Sequence, residues 1–284
     1  MIPIANPIIE DKEKNKVLEV MDSGMLASGQ YVKDFEDKFA DFIGAKYGNA
    51  TTSGTTGLHV ALKAAGIGEG DKVLTTPFTF IASSNSILFC GAEPIFADVK
   101  EDTFNIDPAS MRKKLEENPD IKAVVVVHLY GLACDMDPIM ELVEEYDLKL
   151  IEDAAQSHGA KYKGVNVGNF GDAAVYSFYP TKNMTTGEGG IVLTNDEKIN
   201  EESELLINHG ASERYKHKTL GYNYRMTNIA AAIGLEQLKK LDKYNEIRRE
   251  NAEYFTEHLK DLDWLETPVV PENREHVFHQ YTVK

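Results

Sequence analysis

Residues 121–131 read IKAVVVVHLYG. Four consecutive valines give both faces of an extended segment apolar side chains, so neither face can lie against water. Such a strand belongs in the middle of a sheet covered on both sides, and sheets of that kind are mostly parallel. Five further short apolar runs share this character, namely KVLTT (72–76), PIFADV (94–99), LKLIEDAA (148–155), AAVYSFYP (173–180) and GGIVLTND (189–196). Helix-like stretches near 56–66, 81–90, 108–117 and 136–146 separate several of them. Val32, Phe35, Phe39 and Phe42, spaced by three and four, predict an amphipathic helix ahead of the series. Strand–helix alternation predicts an α/β fold with a mostly parallel central sheet and helices on both faces.

From about residue 197 the pattern turns helical, and 227–262 carries apolar residues at helical spacing. The tail EHVFHQYTVK (275–284) reads as a strand. The expected division is a large domain over 1–200, with a helical N-terminal segment. A helical connection and the start of a smaller C-terminal α/β domain, cut short, would occupy 201–284. The 284 residues carry 30 Lys and Arg against 46 Asp and Glu, a net charge of −16. That balance argues against nucleic acid or an anionic membrane as the main partner. No apolar run approaches the roughly 20 residues of a membrane helix. Two cysteines without metal-ligand spacing, Cys90 and Cys134, and no signal-peptide pattern lead us to expect a cytoplasmic protein. HVFH (276–279) offers two histidines and no third ligand, so no metal is expected.

In open α/β sheets, ligands bind beyond the carboxyl ends of the strands, and three polar segments fall there. TTSGTTGLHVAL (51–62) places Ser53, Gly54 and Thr55 before a helix, where glycine allows close approach and free N–H groups attract phosphate; a plain helix cap gives the same letters. LKLIEDAAQSHGA (148–160) ends a strand in Glu152 and Asp153, one toward each face. Asp153 could pair with a cationic ring nitrogen or cap the next turn, and Gln156 follows within reach. SFYPTKNMTTGEGG (177–190) leaves Lys182 in a loop after a strand that Pro180 ends. A lysine that is partly neutral can form a Schiff base with an aldehyde. ERYKHK (213–218) is a basic cluster in an acidic chain: a solvated face or an anion site.

Together with SGMLASGQYVKDFEDKFADFIGAKY (23–47), TTPFTFIASSNSIL (75–88) and GYNYRMTNIAAAIGLEQL (221–238), these segments in this order resemble the DegT/DnrJ/EryC1/StrS sugar aminotransferases. Those are fold-type I enzymes dependent on pyridoxal 5′-phosphate (PLP). The resemblance implies a role for each matching position. Lys182 would carry PLP covalently and move protons, and Asp153 would keep the pyridine nitrogen protonated. Gln156 would bond the ring's 3-oxygen, Thr55 and Ser177 would hold the phosphate beside Gly54, and Phe80 would stack on the ring. Asn223 would reach the phosphate of a neighbouring subunit in a homodimer with shared sites. The amino group would pass from glutamate to a nucleotide-diphosphate keto sugar, with Arg214, Lys216 and Lys218 as candidate diphosphate contacts. Relatives continue past Lys284. A PLP-dependent sugar dehydratase is the rival within the family, disfavoured because those enzymes carry His where Lys182 stands. A regulatory protein retaining the fold is the rival outside it.

Overall fold

The computed structural model describes residues 5–284. Two amphipathic helices, α1 (Asp11–Ser23) and α2 (Gln30–Ile43), lead the chain in. α2 buries Val32, Phe35, Phe39 and Ile43, as the spacing predicts, while Phe42 stays half-buried. Then come β1 (Tyr47–Thr51), α3 (Gly54–Ala64), β2 (Lys72–Thr75), α4 (Ala82–Phe89), β3 (Glu93–Phe96), α5 (Pro108–Glu117) and β4 (Ile121–Val127). α6 (Met136–Glu145), β5 (Lys149–Asp153), the short pair β6 (Lys161–Tyr162) and β7 (Val165–Asn166), which belongs to a separate small sheet, β8 (Ala173–Ser177) and β9 (Gly190–Thr194) follow.

Seven strands form the main sheet in the order β1-β9-β8-β5-β4-β2-β3. β3, β2, β4, β5 and β8 run parallel, and β9 is antiparallel to both of its neighbours. The valine run is β4, where alternation sends Val124 and Val126 into one apolar layer and Ala123 and Val125 into the other. α2, α5 and α6 cover the first face; α3, α4 and α7 (Glu197–Ile207) cover the second. The expected mostly parallel α/β sandwich is therefore what the chain builds.

A small hairpin of β10 (Ala211–Glu213) and β11 (Lys216–His217) follows, then α8 (Asn228–Leu238), α9 (Leu241–Leu259) and β12 (Arg274–Glu275). Three local differences from the sequence reading stand out. β1 was not anticipated, because YGNAT carries Gly48, Asn49 and Thr51 and shows no apolar strand pattern. The helical run over 227–262 is two helices that break at Lys239–Lys240. The chain pairs as a strand here only at Arg274–Glu275, against β6, and the rest of the tail bonds scattered backbone groups outside any ladder. It crosses the end of β4 instead, where the N–H of Val277 donates to the Gly131 carbonyl (3.0 Å) and that of Gln280 to the Tyr130 carbonyl (3.3 Å). Among the described residues no helix is long and apolar enough to cross a membrane.

Candidate active site

A cavity of about 570 Å³ opens at the carboxyl ends of β4, β5 and β8. Gly54, Thr55, Phe80, Asp153, Gln156, Ser177 and Lys182 all line it. They are far apart in sequence, and the parallel strands bring them together by ending on the same edge.

Ser53 caps α3, its Oγ accepting from the N–H of Thr56 at 3.2 Å. That leaves the Gly54 and Thr55 N–H groups, at the first two positions of the helix, without an intrahelical acceptor. They face the cavity at the positive end of the helix dipole, beside the Ser177 hydroxyl. A Cβ at Gly54 would lie 2.8 Å from Ser177 Cβ, so only glycine lets α3 and β8 come this close. The result is a cradle of N–H and O–H donors, the chemistry a phosphate needs.

β5 carries the two carboxylates to opposite sides. Asp153 faces the cavity and is 5% exposed. Its Oδ2 accepts from Ser83 Oγ at 2.8 Å and its Oδ1 from the Ala155 N–H at 3.2 Å. Burial pushes its pKa up, against the pull of Ser83, Ala155 and the Lys182 charge. A cation placed beside it would be strongly held. Gln156 Oε1 accepts from the Tyr130 N–H at 2.6 Å, which turns its amide NH₂ outward as a donor. Tyr130 sits in the left-handed region (φ 59°), a strained conformation for a non-glycine residue at the site's edge.

Lys182 lies in the turn between β8 and β9, its N–H donating to the Tyr179 carbonyl at 2.9 Å. The turn is tied down from below. Asn183, buried, donates to Asn245 Oδ1 of α9 (2.8 Å) and to the Val277 carbonyl (3.0 Å). Burial lowers the pKa of Lys182, with Asp153 working in the opposite direction, so more of the amine is neutral than in water. The nearby imidazoles are weak bases: burial and the Lys182 charge push His158 down to about 3 and His279 to about 2. Lys182 is a group at this cavity suited to carry a proton.

Other expected residues lie elsewhere in the chain. Asn223 is exposed and outside the cavity; its backbone bridges to Asn208. Thr227, not Asn223, caps α8. Arg214 sits over the Tyr215 ring on the β10–β11 hairpin, beside a separate groove. Lys216 pairs with Glu213 at 3.0 Å, and Lys218 is exposed. Residues that sequence reasoning left without a role also line the cavity, among them Thr79, Tyr179, Glu188 and Gln280. Ser83 was equally unmarked; its one signal was a hydroxyl a helical turn after Phe80.

The residues present fit PLP: a donor cradle for a phosphate, an acid for a ring nitrogen, an amide donor for a ring oxygen, and a half-buried amine. Known proteins point the same way. The model of the DegT/DnrJ/EryC1/StrS aminotransferase family matches residues 7–284. GDP-perosamine synthase of Caulobacter vibrioides is 42% identical over 287 residues, covering 100% of this chain and 77% of that protein. The pleiotropic regulatory protein of Geobacillus stearothermophilus is 44% identical over 269 residues, covering 94% of this chain and 72% of that one. Among solved structures, DesV of S. venezuelae in complex with a ketimine intermediate superposes with a TM-score of 0.93 at 35% identity, over 96% of this chain and 73% of DesV. The fold is that of the fold-type I PLP-dependent aminotransferases. The chain belongs to the DegT/DnrJ/EryC1/StrS aminotransferase family.

Proposed function

We propose that this aminotransferase uses PLP to move an amino group from glutamate to the keto group of a nucleotide-linked sugar, yielding an amino sugar nucleotide. The observation that carries the reading is the convergence of Lys182, Asp153 and the start of α3 on one cavity. The name of the Caulobacter relative, a GDP-sugar enzyme, supports the substrate class. When bound, PLP supplies an electron sink for the carbanion formed at the α-carbon of the amino acid.

The chain's own groups do the rest. The Gly54 and Thr55 N–H groups and the Ser177 hydroxyl would hold the phosphate, and the Gln156 amide and the exposed face of Phe80 would contact the ring. Asp153, ionised, would keep the ring nitrogen protonated, and its burial would make that ion pair stronger than in water. Lys182 would hold the cofactor through its Nζ and, when that amine is free, would hold and move a proton there as general base and acid. Burial lowers its pKa, so a larger share of the amine is free than for a solvated lysine.

Under this reading residues 1–200 form the cofactor domain and 201–284 the connection into a smaller one, and the protein works in the cytoplasm. We further infer a homodimer: Asn223, Arg214, Lys216 and Lys218 lie away from their own chain's cavity and would serve the partner's. Lys182, where the dehydratases carry His, supports transamination over dehydration. The regulatory reading suits the name of the Geobacillus relative, but a purely regulatory protein has no use for Lys182 and Asp153 beside one donor cradle. The test is direct. The PLP-loaded protein, glutamate and a panel of GDP-, UDP- and dTDP-linked 3- and 4-keto sugars are mixed, and products are read by mass spectrometry. An amino sugar nucleotide formed together with 2-oxoglutarate is expected. Cofactor binding without amino transfer to any sugar of the panel would overturn the substrate class.

A further inference from the structure

Ser83 lies in the first turn of α4, 1% exposed, and its hydroxyl has a single proton to give. Three oxygens are in reach, Thr79 Oγ1 among them. The Phe80 carbonyl, one helical turn back, lies at 3.3 Å; Asp153 Oδ2 lies at 2.8 Å. The first is the bond any helical serine makes to its own backbone. The second is shorter, and with Asp153 ionised, as the reading above has it, its acceptor is charged; hydrogen bonds to charged acceptors are roughly twice as strong. The proton therefore goes to Asp153. Thr79 Oγ1, 3.2 Å from Ser83 Oγ, must then be the donor of that pair, and the chain Thr79 → Ser83 → Asp153 is polarised toward the carboxylate.

We propose that Ser83 is a positioning residue that holds Asp153 as the anionic partner of the cofactor's ring nitrogen. The proposal rests on the reading of Asp153 given above. With Ser83 donating, the carboxylate is the weaker base and the shared proton stays on the ring. Without it, Asp153 keeps one donor, the Ala155 N–H at 3.2 Å, and competes for that proton. The same turn carries Phe80, so the segment 79–83 places both the flat surface under the ring and the hydroxyl that sets the charge beside it.

The experiment uses the holoenzyme loaded with PLP labelled with ¹⁵N in the pyridine ring. The ¹⁵N shift reports ring protonation independently of turnover. For Ser83→Ala we expect the shift to move from the protonated toward the neutral range. Turnover should fall roughly tenfold with KM for glutamate little changed, the scale of one lost bond to a charged group. Ser83→Thr, which keeps the hydroxyl, should restore both. Melting of the cofactor-free proteins controls for folding. A wild-type shift and wild-type turnover in Ser83→Ala overturn the role of Ser83 alone. A neutral ring nitrogen in the wild-type enzyme overturns the reading of Asp153, and this proposal with it.

Discussion

Glu152 and Asp153 are neighbours on one strand and are 0% and 5% exposed, yet their surroundings differ. Glu152 accepts from His128 Nε2 (3.0 Å) and from the N–H groups of Gly168 (2.7 Å), Phe170 and Gly171 (both 2.8 Å). The Cys134 N–H donates to His128 Nδ1 at 3.0 Å, which leaves Nε2 as the ring nitrogen that donates to Glu152. Burial pushes Glu152 up, but His128 and the loop amides outweigh it and hold the group below the usual carboxylate range. Asp153, with two donors and an open side, is pushed above that range by burial. A saturated carboxylate organises backbone: Glu152 fixes the 168–171 turn that leads into β8. An undersupplied one has capacity left for a ligand. Strand alternation alone puts one carboxylate in each setting.

This contrast predicts which side of β5 costs rate and which costs stability. The largest effect belongs to Lys182→Ala. Turnover should fall by more than about a thousandfold, the scale of a lost nucleophile and proton carrier, with the melting temperature of the cofactor-free protein nearly unchanged. Next is Asp153→Asn, where loss of a charge aimed at the reacting system should cost about 10²–10³ in kcat. Its unfolding free energy without cofactor should not drop, because a neutral amide is cheaper to bury. If rate and stability fall together, the division between the two faces is wrong. Glu152→Gln should do the reverse. An NH₂ turned against backbone donors should cost about 3 kcal/mol in urea unfolding while turnover per folded molecule survives. The smallest effect on rate is expected from Gly54→Ala: a methyl pressed against Ser177 should weaken PLP binding by about 1–2 kcal/mol in a cofactor titration and lower stability by a similar amount through overpacking.

The sheet was legible because β4 and its neighbours are buried on both faces, and valine runs have few other places to go. The cofactor-facing set was legible because strand ends, helix starts and a glycine-rich turn each leave local marks around Asp153, Thr55 and Lys182. β1 was not, since its pairing with β9 is satisfied by backbone and tolerates Asn49 and Gly48. Ser83 left almost no mark: a serine inside a helix looks the same whether it bonds its own turn or a carboxylate 70 residues away. Glu152 was read only as the other face of Asp153. Its donors come from segments 16 to 24 residues distant in either direction, which no local pattern encodes.

The most direct test is the pH dependence of unfolding free energy for cofactor-free wild type, Glu152→Gln and Asp153→Asn, at one protein concentration. Glu152 has a depressed folded pKa, so its contribution is present above the unfolded value of about 4.3 and is lost as pH falls through the folded one. Asp153 has a raised folded pKa, so its ionisation costs stability as pH rises from the unfolded value of about 3.9 through the folded one. Relative to wild type, Glu152→Gln should therefore become less stable as pH rises from acid to neutral, and Asp153→Asn more stable. Two differences that slope the same way would contradict the account.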